Sequence, residues 1–168
     1  MIDIEDMQKT NESLKRKLKG LAELSEYDSG KLGVYEDATY ISWNYFQGFQ
    51  RRFYGESIDT LIVFLENTIE DYYIFYNMIV FFLILNNEMN NEMNNEHLAK
   101  TLNVQEKIPE EIIEKLLLLQ KENEKFIKKL YTGLVVLKYQ YESNNTKRIS
   151  ITALMHKVHA LSTLYIDE

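Results

Sequence analysis

An all-α fold, a single-domain bundle of four to five helices with one long helix in the C-terminal half, is what this sequence predicts. Three observations carry that expectation. One Pro and six Gly in 168 residues leave few places for the chain to turn. Apolar residues recur at three- and four-residue intervals through most of the chain, the spacing of a helix face. A hydrophobic fraction of 45% beside 27% charge is that of an ordinary globular protein, long enough to bury one core.

The first predicted helix runs from about Asp3 to Tyr27, where Ile4, Met7, Leu14, Leu18 and Leu21 form one stripe. Asn11 is the polar intruder on that stripe, and Lys15, Arg16, Lys17 and Lys19 turn mainly to solvent. The stretch Asp28-Ser29-Gly30-Lys31-Leu32-Gly33 is the clearest break in the chain. An aromatic segment follows, and Trp43, Phe46, Phe49 or Gln50, and Phe53 keep helical spacing up to a stop near Gly55. Ser57 is the expected N-cap of the next helix, with Asp59 in its first turn.

From Ile58 to Leu85 the apolar positions are so dense that Tyr72–Leu85 reads as apolar all round, which predicts a buried central helix. Its fully apolar run of about fourteen residues is short of the roughly twenty that cross a bilayer, so no membrane segment is expected. Asn86-Asn87-Glu88-Met89 then begins a tetrapeptide repeated to His97. This low-complexity piece predicts a helix extension fraying into a mobile loop within residues 86–107. Pro109 with Glu110 and Glu111 opens the longest helix, expected to reach about Glu142. Two adjacent apolar rows, one through Ile112, Leu116 and Leu119 and one through Ile113, Leu117 and Ile127, give it a broad core face. The rows break at Gln120, Asn123 and Glu124, where the helix either leaves the core or contributes to a buried, paired polar layer. A turn at Ser143–Thr146 precedes the last helix, expected over Lys147–Tyr165 with Ile151, Leu154, Val158 and Leu161 on its stripe.

The chain has no Cys, which removes disulfides, thiolate metal sites and cysteine catalysis, and fits a reducing, cytoplasmic setting. Its acidic start, Met1-Ile2-Asp3-Ile4-Glu5-Asp6, is unlike a signal or transit peptide. A net charge of −7 argues against nucleic acid as a partner, because phosphate affinity comes from Lys and Arg. A basic face joining Lys15–Lys19 to Arg51 and Arg52 would be needed to reverse that. Glycine-rich phosphate loops, the G-x-S-x-G nucleophile elbow and H-E-x-x-H are all absent, and no cofactor is expected.

Two constellations remain as candidate sites. Trp43, Phe46, Phe49, Arg51, Arg52 and Tyr54 combine the residue types enriched at interface hot spots, beside a Gly turn. The ordinary reading is that the aromatics fill the core and the arginines pair with neighbouring acids. His156 and His159 stand three apart on the last helix, a spacing that can hold a metal. No Glu-x-x-His accompanies them, so a di-iron site is not indicated, and carboxylates such as Glu66 and Glu70 would have to complete the set. The expected function is therefore a non-enzymatic protein–protein interaction or a structural, assembly role with a protein partner or a homo-oligomer. The alternative is a small metal-binding or enzymatic bundle built on the His-x-x-His pair. The abundance of Asn, Ile, Lys and Tyr fits an AT-rich coding genome, and with it a viral or phage protein, including a virion component.

Overall fold

A computed structural model describes residues 2–27, 43–55, 57–91 and 108–164. Five α-helices, and no strand among the described residues, make an all-α bundle. Helix α1 spans Ile4–Leu24 and closes with a 3-10 turn at Ser25–Tyr27; α2 spans Trp43–Tyr54, α3 Ile58–Asn91, α4 Glu110–Gln140 and α5 Asn145–Ser162.

Local chemistry sets the ends. The Asp3 carboxylate accepts from the Asp6 N–H at 3.0 Å and caps α1, with Glu5 and Asp6 in the first turn where the helix dipole favours negative charge. Gly55 has φ of 89°, a left-handed conformation in which a Cβ is strained, so the α2–α3 turn falls on a glycine. The buried Gln50 side chain ties that turn down, its Nε2 donating to the carbonyls of Gly55 and, at 3.1 Å, Ser57. Pro109 precedes α4, and its carbonyl accepts from the N–H groups of Ile112 and Ile113 at 3.0 and 3.1 Å. Asn144 caps α5 through an acceptor contact from the Lys147 N–H at 3.1 Å. The α5 boundary thus starts two residues before the predicted one, while predicted residue Tyr165 lies outside the described residues. Of the 86–107 segment, residues 86–91 continue α3 as helix, and the remainder lies outside the described residues.

Helices α1 and α4 run the same way and approach closely. A Cβ on Gly133 of α4 would lie 2.1 Å from the Leu21 carbonyl oxygen of α1, so only glycine permits this contact. Helix α3 runs antiparallel to both, and α5 runs with α3, as the Glu70–Lys157 and Tyr76–Leu164 contacts show. Helix α2 covers one end of the bundle, where Phe46 packs edge-on against Tyr141 at 5.8 Å and Phe53 fills the space beside Gly20. The core joins Leu18, Leu65, Leu134, Val158 and their neighbours from all five helices.

The break in the α4 apolar rows is a buried polar layer. Asn123 is fully buried; its Nδ2 donates to Asn11 Oδ1 of α1 at 2.8 Å and to the Leu119 carbonyl at 2.7 Å, and its Oδ1 accepts from the Tyr72 hydroxyl of α3. The polar intruder on α1 and the polar gap on α4 are thus two halves of one network. Tyr72 is also stacked on Tyr76 and tilted against Phe126, which fixes its ring. Burial pushes the Tyr72 phenol well above its ordinary pKa, so the neutral donor is the form the fold holds.

Candidate functional site

The aromatic segment is divided by the fold. Phe46 and Phe49 are buried and packed on one another at 6.1 Å, so these two side chains belong to the core and are not available to a partner. This corrects the expectation that Phe46 and Phe49 meet a partner, and the ordinary reading holds for these two: an end cap on four helices needs large apolar side chains. Tyr54 is partly buried against Phe49 and Phe64, at 6.0 and 5.4 Å, and burial raises its phenol pKa, with the Glu23 carboxylate adding to the shift. Arg51 and Arg52 are exposed, the Arg52 guanidinium lying 4.8 Å over the Phe53 ring. The Trp43 backbone opens α2, and its side chain lies outside the described residues.

His156 and His159 are both exposed on α5, with the His159 ring 6.1 Å from that of Tyr131. Among the described residues no three His, Asp or Glu side chains come together where they could hold a metal ion. His97 lies outside the described residues. Glu70, one of the carboxylates that the metal reading would need, instead pairs with Lys157 between the two histidines, and that lysine also lies 5.4 Å over the Tyr73 ring. Glu66 is exposed on the preceding turn.

The surface that the sequence reading did not single out lies on α3. The expectation there was a helix buried all round. One side of it, through Leu65, Ile69, Tyr72, Tyr76, Ile79 and Leu83, is indeed buried. The other is open: Ile74 is 59%, Met78 38%, Phe81 54% and Ile84 40% exposed. A helix at the side of a bundle can bury only the sector that faces its neighbours, and α3 keeps apolar residues beyond that sector. The signal was present in the sequence as the lack of any polar stripe between Tyr72 and Leu85. By length and composition α3 is apolar enough over Thr60–Glu88 to cross a membrane, with half of that window buried inside the bundle.

The upper part of this face borders an open groove between α1 and α3. Lys9 and Lys17 stand on the α1 side, Asp71 on the α3 side, and Leu14, Ile74 and Met78 form the apolar floor. The groove can supply contact surface with charges of both signs at its edge. A second, smaller cleft lies between α3, α4 and α5, where Glu124 and Lys128 are the charged lining residues and Tyr76 donates to the Leu164 carbonyl at 3.4 Å.

No family model matches the chain, and neither does any curated protein or any solved structure. What the fold defines is a helical bundle with an uncovered apolar helix face, and the functional reading rests on that geometry.

Proposed function

We propose that the chain is a non-enzymatic interaction or assembly protein that acts by burying the outer face of α3 against another protein surface. One observation carries this reading: four large apolar side chains, Ile74, Met78, Phe81 and Ile84, are left open along the most apolar helix of the bundle. Scattered surface apolar residues need no explanation, whereas a contiguous row rimmed by charge marks an interaction site. The groove supplies such a rim through Lys9, Lys17 and Asp71. The aromatic end cap contributes less than its composition suggested, because Phe46 and Phe49 are spent on the core.

The test is the molar mass in solution, by light scattering coupled to size exclusion over a range of loading concentrations, with and without EDTA. The reading expects a species larger than the 20.0 kDa chain that is indifferent to chelator. A monomer at every concentration would count against it, and a mass that changed on adding EDTA would revive the His156/His159 alternative.

A further inference from the structure

We infer that the occupant of the α3 face is a second copy of this chain, with two α3 helices crossing antiparallel about a two-fold axis between Met78 and Phe81; this rests on the assembly reading above. Three observations separate this occupant from the others.

The first is length. Thr60–Glu88 is long and apolar enough to cross a bilayer, but half of that window is buried against this chain's own helices; the open row from Ile74 to Ile84 covers only about 15 Å of helix, half of the ~30 Å hydrocarbon core. The row is flanked by Glu70 and Asp71 at one side, beyond which Val63 and Phe64 are exposed as well, and by Asn86, Asn87 and Glu88 at the other. Helix α3 has no Lys or Arg anywhere between Ile58 and Asn91, and the cations beside the face, Lys9 and Lys17, stand on α1 next to Asp71. A lipid surface is a poor match.

The second is area. A fully open side chain of this size offers on the order of 200 Å², so at the exposures above the four residues present roughly 400 Å² of apolar surface. A standard interface takes about 800 Å² from each partner, a little over half of it apolar. The row supplies that apolar share, and the groove edge supplies the polar rest through Lys9, Lys17 and Asp71.

The third is the order of the residues. An isologous contact requires a patch complementary to itself. Between Glu70 and Asn86 the exposed row has an Ile at each end with Met78 and Phe81 between. An antiparallel two-fold sets Ile74 opposite Ile84 and Met78 opposite Phe81, so each copy places its thioether against the other's ring, a favourable contact. The same symmetry brings the acids near Asp71 toward the partner's Glu88, at the ends of the crossing. Added salt should therefore tighten association rather than weaken it.

The chain has no Cys, so Ile74→Cys and Ile84→Cys each introduce a single thiol at an exposed position. The two full-length variants, shown to fold by their helical spectra, are co-incubated and treated with a bismaleimide matched to the ~8–10 Å between packed helix axes. The expected result is covalent dimer from the mixture and much less from either variant alone, because like positions lie about 15 Å apart along the axis. A dimer by light scattering that cross-links Ile74→Cys to itself instead would overturn this arrangement and leave the assembly reading standing. Monomers that give no cross-link would overturn both. Monomers that float with phosphatidylcholine and phosphatidylglycerol vesicles would do the same and identify a bilayer as the occupant.

Discussion

Replacing Asn123 with Leu tests the buried polar layer, because the substitution keeps the γ-branched shape of the side chain while removing its hydrogen-bond hub. Asn123 serves three contacts at once, accepting from the Tyr72 hydroxyl and donating to Asn11 Oδ1 and the Leu119 carbonyl. In Asn123→Leu the Tyr72 hydroxyl and the Asn11 carbonyl oxygen lose that partner while remaining buried. The Leu119 carbonyl belongs to the helix ladder and is less affected. Each stranded group costs about 1–3 kcal/mol, so the single variant should lose roughly 2–6 kcal/mol. Removing the whole network in Asn11→Leu/Tyr72→Phe/Asn123→Leu leaves no orphan, and such wholesale replacement is nearly neutral or stabilising. Equilibrium urea unfolding followed by helical circular dichroism would read both. A single variant costing under about 1 kcal/mol, or a triple variant whose loss equals the sum of its singles, would show that the three side chains do not act as one network.

Three further predictions follow from the geometry. Gly133→Ala should destabilise by several kcal/mol although alanine is the better helix former by about 1 kcal/mol, since its Cβ would meet the Leu21 carbonyl oxygen at 2.1 Å; a thermal melt decides it. Tyr72 and Tyr54 hold their phenols neutral above the ordinary pKa of 10.0. In the unfolded chain those phenols ionise first, so stability is retained below pH 10 and falls as the pH rises beyond it. Melting temperatures measured from about pH 9 to pH 11 should therefore drop, and less steeply in Tyr54→Phe. His156→Ala/His159→Ala should change stability by no more than about 0.5 kcal/mol, with EDTA leaving the melt of the native chain unaltered, as both imidazoles are exposed.

Most of the helical architecture was legible because its signals are local. The period of Leu14, Leu18 and Leu21, the Pro109-Glu110-Glu111 start, the Gly55 stop and the Asn144 turn all act within one or two turns of chain. The polar layer was half legible. Asn11 and Asn123 each stood out against an apolar row, but 112 residues separate them, and only the parallel packing of α1 on α4 joins them. Two readings failed for a common reason. Phe46 and Phe49 are residue types of an interface hot spot, and Tyr72–Leu85 reads as buried all round. Composition records how apolar a segment is, whereas the number and placement of its neighbours decide which side is covered. Helix α2 caps a bundle end and is used up there; α3 flanks the bundle and is not.

Sedimentation equilibrium of the native chain beside Phe81→Lys shows whether the α3 face is an assembly surface for a second copy. Phe81 is more than half exposed, so the variant should fold as the native chain does. A two-fold contact counts each substitution twice, and a hot-spot loss of about 2 kcal/mol per site makes roughly 4 kcal/mol, near a thousandfold in Kd. The expected result is a native mass twice the 20.0 kDa of the chain and a monomeric variant with an unchanged helical spectrum. A native chain that sediments as a monomer, or a variant that dimerises as tightly as the native chain, would contradict it.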